Sequence, residues 1–121
     1  MKILVPPDLS KKLAKANVPD SELKNAVLRA ERGLIDARIG KYLIKQRVPR
    51  EGQGRSKGFR TVICYKIGDF AVFLHMFAKS NKPNLSDQES EEYNFFANKL
   101  ADLSDENITR LAKEHDWREI E

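Results

Sequence analysis

The chain has a single cysteine, Cys64, which excludes an internal disulfide framework and suits a reducing compartment. Its two histidines, His75 and His115, lie forty residues apart, and there is no CxxC or HExxH pairing. No metal site and no cofactor are therefore expected. The longest apolar runs are strand-length, so no transmembrane helix is predicted. The opening MKILVPPDLSKK lacks an apolar stretch between its basic residue and a small-residue cleavage site, so no signal peptide is expected and the predicted location is cytoplasmic. Glycine is scarce and confined: all six glycines fall between Gly33 and Gly68. What remains is 121 residues, 40% apolar, with six Phe, three Tyr and one Trp, enough for one domain with a small core.

The formal charge of +4 conceals an asymmetry. Between Arg38 and Arg60 there are eight bases (Arg38, Lys41, Lys45, Arg47, Arg50, Arg55, Lys57, Arg60) and one acid, Glu51, giving +7. From Ser86 to Glu121 eleven acids face four bases, giving −7. Such a basic segment points to a polyanionic partner, phosphate backbones being the commonest. Charge alone leaves a solvated surface, partly neutralised by the acidic tail, as an equal reading.

Hydrophobic periodicity places the elements. Lys2 to Val5 is β-prone and is stopped by Pro6-Pro7. Leu9, Leu13 and Ala16 predict a helix from Asp8 to Lys15; Leu23, Ala26, Val27 and Ala30 predict a second, from Asp20 to a stop at Gly33. The two read as an N-terminal helical hairpin. Strands are predicted at Tyr42–Val48, Phe59–Ile67 and Phe70–Ala78, with Pro49–Lys57 a basic, glycine-rich loop. Gly68-Asp69 reads as a two-residue type II′ turn. Ser86 and Glu89 form a capping box before a helix bearing Tyr93, Phe96, Ala97 and Leu100, and Ser104 opens a last helix with Ile108, Leu111 and Ala112. The predicted fold is α+β, a mainly antiparallel small sheet with an N-terminal helical hairpin and C-terminal helices.

The densest chemistry lies in Lys45 to Arg60. Alternation puts Lys45 and Arg47 on one strand face, Arg60 starts the next strand, and Arg50, Arg55 and Lys57 occupy the loop. Gly52, Gly54 and Gly58 allow close backbone approach. There is no GxxxxGK[ST] and no strand-to-helix junction, so this is no Walker loop.

Arg47-Val-Pro-Arg50-Glu-Gly-Gln-Gly-Arg55-Ser-Lys-Gly-Phe-Arg60, then Phe77-Ala-Lys79, then Asn84-Leu-Ser-Asp-Gln-Glu89, resembles the RelE/HigB-type toxins of bacterial toxin–antitoxin systems. Glu31-Arg-Gly-Leu-Ile-Asp36 is similar to the segment after that family's second helix, and the likeness runs from about Leu9 to Leu103. Two positions depart from the pattern: Arg55 stands where lysine is frequent, and Lys57 where glycine is usual. The resemblance implies residues 1–103 as the toxin domain, with 104–121 a helical extension packed on it. It implies a metal-independent endoribonuclease that cleaves messenger RNA on the ribosome, inhibits translation, and is partnered by a cognate antitoxin. Mapped by motif, Arg60 and Lys79 take catalytic places. Lys57, crowded by Arg55 and Arg60, is a candidate base beside Lys79, because neighbouring cations lower a lysine pKa. Lys45, Arg47, Arg50, Arg55 and Lys82 are assigned to RNA and ribosome contacts. The rival readings are a superfamily member without ribonuclease activity, such as a gyrase-inhibiting toxin, and a plain nucleic-acid-binding module.

Other residues read as structural. His75 alternates with Phe73 and Phe77 and is expected in the core, as are Tyr65 and an inert Cys64. His115 is expected in solvent, and Trp117 to pin the last helix.

Overall fold

The structure is a computed structural model that describes residues 1–50, 54–78 and 85–121, with Arg50 and residues 54–57 described by their backbone alone. The elements run β1 (Lys2–Val5), α1 (Pro7–Lys15), α2 (Asp20–Glu31), β2 (Ala37–Gly40), β3 (Leu43–Arg50), β4 (Gly54–Lys66), β5 (Phe70–Ala78), α3 (Asp87–Ala101), α4 (Asp105–Glu114) and β6 (Arg118–Ile120). Among the described residues the strands form one sheet in the order β2-β3-β4-β5-β1-β6.

The sheet corrects the expected fold. It is a six-stranded mixed sheet rather than the small, mainly antiparallel one expected: β1 runs parallel to β5, with Ile3 opposite Ala71, while the other pairs are antiparallel. The physical reason lies in β5, whose sequence FAVFLHMFA is apolar on both faces and so needs a strand on each side and layers above and below. The N-terminal helical hairpin is not formed. β1 precedes the helices, and the buried stripes Leu9/Leu13 of α1 and Leu23/Ala26/Val27/Ala30 of α2 are spent on the sheet, α1 against β5 and α2 against β3. A nine-residue helix has one apolar stripe, and the sheet takes it.

The opposite sheet face is covered by α3 and α4 through Ala97, Leu100, Ala101, Ile108 and Ala112, over Leu4, Leu43, Val62, Cys64, Phe70 and Val72. Each end of these helices has a local cause. Gly33, at φ +82°, closes α2 with Leu34 N–H donating to the Arg29 carbonyl at 2.8 Å and Gly33 N–H to that of Ala30 at 2.9 Å, a Schellman closure that the left-handed glycine allows. Ser86 Oγ accepts from Glu89 N–H at 3.1 Å while Glu89 Oε1 accepts from Ser86 N–H at 3.0 Å, the capping box of α3. The β4–β5 connection differs from the expected two-residue turn. It spans Ile67 to Asp69, with Asp69 N–H donating to the Lys66 carbonyl at 3.0 Å and Gly68 at φ +72° in the third place, as a type II turn requires.

Candidate functional site

The predicted Pro49–Lys57 loop is shorter than its composition implies. β3 continues through Arg50 and β4 begins at Gly54, with Arg50 paired to Gly54. The extended hairpin carries the basic residues in register. Arg47 stands opposite Arg60, and Arg60 opposite Phe77 on β5; one step inward, Lys45, Val62 and His75 form the next row. Lys45, Arg47 and Arg60 thus share the sheet face on which α3 lies, toward the end of the sheet that carries the β3–β4 hairpin connection. Arg47 is exposed, whereas Lys45 and Arg60 are half-buried. One guanidinium nitrogen of Arg60, Nη1, is buried and has no hydrogen-bond partner among the described residues.

The backbone of Arg47 is held from the side away from β4. Its N–H donates to Asp36 Oδ2 at 2.8 Å, and its carbonyl accepts from Arg29 Nη2. Arg29 Nη1 lies 3.6 Å from the same Asp36 oxygen. With both backbone groups turned outward, the Arg47–Arg60 pair is of the non-hydrogen-bonded kind, in which facing side chains lie closest. Beneath it, the fully buried Gln46 uses both donors and its oxygen in hydrogen bonds. Nε2 donates to the carbonyls of Ala26 at 2.9 Å and Leu34 at 3.1 Å, and Oε1 accepts from Asp36 N–H at 2.7 Å. Thr61 Oγ1, also buried, donates to the Gln46 carbonyl at 2.8 Å. This network fixes the end of α2 and the Asp36 loop to the strand that presents Arg47.

His75 departs from its expected place. Leu74 is an extra residue in β5, since Ile63 pairs with Phe73 and Val62 with His75. The bulge turns His75 away from the Phe73 face and onto the face shared by Arg60 and Phe77. There it is half-buried, its ring centroid 5.8 Å from that of Phe77 and 5.9 Å from that of Tyr93 on α3. Burial, then the nearby Glu89 and Glu92 charges, raises the Tyr93 pKa. Periodicity gives no sign of this arrangement, because strict alternation places His75 with Phe73.

Cys64 and Tyr65 are core residues, as expected. Burial pushes the Cys64 thiol up to about 12. The Tyr65 pKa is raised by burial first and then by its hydrogen bond to Glu31, with Arg38 opposing. His115 is exposed, and Trp117 packs edge-on against Phe96 with centroids 6.3 Å apart. Of the other expected site residues, Arg50, Arg55 and Lys57 lie on β3 and β4 with side chains outside the described residues. Lys79 and Lys82 also fall outside the described residues. Among the described residues, no group of three His, Cys, Asp or Glu could hold a metal ion, and no helix is long and apolar enough to cross a membrane.

Fold and site together define a small α+β domain whose sheet ends in a cationic face backed by aromatic rings. The chain belongs to the RelE toxin family: the family model described as the RelE toxin of the RelE/RelB toxin–antitoxin system matches residues 1–120. It is a toxin of a toxin–antitoxin system, a family that pairs with an antitoxin protein. The match takes in α4 and all of β6, past the Leu103 limit of the resemblance in the sequence. Comparison with curated proteins and with solved structures gives no match.

Proposed function

We propose that this toxin is a ribosome-dependent messenger-RNA endoribonuclease that acts in the cytoplasm and halts translation, and that its cognate antitoxin holds it inactive. The observation that carries the reading is Arg60: a half-buried guanidinium, opposite Arg47, with one buried nitrogen lacking a partner among the described residues. A planar guanidinium suits a phosphate, which it can grip through two parallel N–H···O bonds. The ribose 2′-OH attacks the adjacent phosphorus, an O2′–P bond forms and the P–O5′ bond breaks. The products are a 2′,3′-cyclic phosphate and a 5′-hydroxyl. The 2′-OH proton passes to a base, and the leaving 5′ oxygen takes a proton from an acid. Arg60 stabilises the charge that builds on the phosphorane. Lys57 and Lys79 are assigned the proton transfers, and Lys45, Arg47, Arg50, Arg55 and Lys82 hold the RNA backbone and ribosomal RNA. Residues 1–103 carry this chemistry, with 104–121 an extension that supports the fold.

The test maps messenger-RNA 5′ ends in bacteria expressing the wild-type chain or Arg60→Ala, with purified ribosomes and free transcripts compared in vitro. Expected are new 5′-hydroxyl ends with the wild type, their loss with Arg60→Ala, and little cutting without ribosomes. Growth arrest with intact messenger RNA would overturn the reading in favour of a toxin without ribonuclease activity. Robust cutting of free transcripts would remove the ribosome dependence.

A further inference from the structure

Beside the cationic row lies a hollow of about 170 Å³, open on one side and lined by Ile39, Lys45, Leu85 and Ser90. It is a built feature. Ile39 is the unpaired residue of a bulge in β2, between the Arg38–Ile44 and Gly40–Leu43 pairs. The Asn94 carboxamide donates from Nδ2 to the Ile39 carbonyl and to the Ser90 carbonyl, each at 3.0 Å, so one side chain ties together two walls from β2 and α3. Gly40 makes that tie possible. A Cβ built there would fall 1.7 Å from Asn94 Oδ1, so the helix side chain occupies space that any larger residue would claim.

We propose that this hollow is a nucleobase subsite, receiving a base of the RNA whose phosphate is gripped by Arg47 and Arg60; it rests on the reading of the cationic row as a phosphate site. Three features select that occupant. The volume is well below the roughly 300–1,000 Å³ of pockets that enclose a drug-sized ligand, so it takes one ring system and leaves sugar and phosphate outside. The walls combine the apolar faces of Ile39 and Leu85 with two hydrogen-bonding groups, the Lys45 ammonium and the Ser90 hydroxyl, as a flat heterocycle with polar edges requires. Lys45 lies two residues from Arg47 on the same strand face, about 6.6 Å along the strand, the reach from a nucleotide's phosphate to its base. Ser90 and Lys45 then read the base edge, and Asn94 is a positioning residue.

The experiment follows backbone amide resonances of the isotope-labelled full chain during titration with inorganic phosphate and, separately, with the four ribonucleoside 5′-monophosphates. Phosphate is expected to move Arg47, Arg60 and their cationic neighbours but not Ile39 or Ser90, whereas at least one nucleotide also moves Ile39 and Ser90. Ser90→Ala, which loses one hydrogen bond of about 1 kcal/mol, should weaken that nucleotide about five-fold while phosphate binding stays unchanged. Ile39→Trp, which fills the hollow, should abolish the second set of shifts. Nucleotides that move only the residues phosphate moves would overturn the subsite and leave the phosphate site standing. If no ligand moves any resonance, both fall. Nucleotide shifts at Ile39 and Ser90 in a chain that cuts no messenger RNA would keep the subsite and sink the cleavage reading.

Discussion

Arg47 and Arg60 face each other across β3 and β4 in a pair whose backbone groups do not bond to one another. Two cations placed opposite on a sheet repel, which in solvent-screened positions costs a fraction of a kcal/mol up to about 1 kcal/mol. The unpartnered buried Nη1 of Arg60 adds a desolvation cost. Both penalties suit a face selected for a polyanion rather than for stability.

That conflict gives the first prediction. Arg60→Met should raise the unfolding free energy by about 1 kcal/mol, since it removes the repulsion and the orphaned donor. On the proposed role of Arg60 it should also abolish growth inhibition, since losing a charge-stabilising donor costs about 10²–10³ in rate. Urea unfolding and a growth assay measured on the same variant check the pair of effects. A destabilised Arg60→Met would mean that the guanidinium is a structural element.

Much of this arrangement was legible in the sequence, and the parts that were not have physical causes. Caps and stops are local chemistry, so Gly33 and the Ser86/Glu89 box announced the α2 and α3 boundaries. Period-two alternation put Lys45 and Arg47 on one face. β2 and β6 are four and three residues long with charged members, too short for periodicity to register. The parallel β1–β5 pairing is a long-range choice driven by the two-sided burial of β5, and no local signal encodes it. His75 was misplaced because one extra residue, Leu74, reverses the face of everything beyond it. Lys79 was singled out by motif and Lys57 by the cations that crowd it, and their roles stand as proposals.

Gln46 offers a second prediction. Its carboxamide makes three hydrogen bonds, with Ala26, Leu34 and Asp36, in a fully buried position. Gln46→Leu keeps the volume but takes the side-chain partner from the Leu34 carbonyl and the Asp36 N–H, both outside the helix, while the Ala26 carbonyl keeps its helical bond, so stability should fall by about 2–4 kcal/mol. Because Asp36 also holds Arg47 N–H, toxicity should drop in molecules that remain folded. The urea midpoint and growth inhibition at low temperature read the two effects. Unchanged stability would show that water replaces the amide.

Alkaline pH gives a third. The Cys64 thiol in the folded protein is raised to about 12 by burial, and the Tyr65 phenol is raised by burial and by Glu31. In the unfolded chain both ionise near their ordinary values, about 9 and about 10, so above pH 9 the unfolded state binds fewer protons than the folded one. The stabilisation is therefore whole below about pH 9 and is lost as pH rises toward 12. Unfolding free energy measured at several pH values from 8 to 11 should decline, and Cys64→Ala should flatten the decline whatever its effect on absolute stability. The native thiol should likewise resist alkylation until the protein unfolds. An equal pH slope in Cys64→Ala would assign the effect elsewhere.

The acidic tail provides the last. Ile108, Ala112 and Ile120 are buried, Ile120 pairs with Ile3, and Arg118 bonds Asp20 at 2.6 Å and Ser10 Oγ at 3.1 Å. Removing residues 104–121 would strip a helix and an edge strand from the sheet, and folded protein should be lost. Charge can be tested without that damage. β6 pairs with β1, and β1 meets β5 at Phe70 to Val72, whereas Arg60 faces Phe77 at the other end of β5. On β4, four steps separate Cys64, the partner of Val72, from Arg60, the partner of Phe77, about 13 Å along the strand, and β6 stands three strands from β4, about 14 Å across the sheet. Both separations exceed the Debye length of about 8 Å at physiological salt. Neutralising Glu119 and Glu121, on and beside β6, to their amides should therefore leave the salt dependence of ribosome binding unchanged. A distinctly steeper salt slope and tighter binding at low salt would instead make the tail an electrostatic brake on the cationic face.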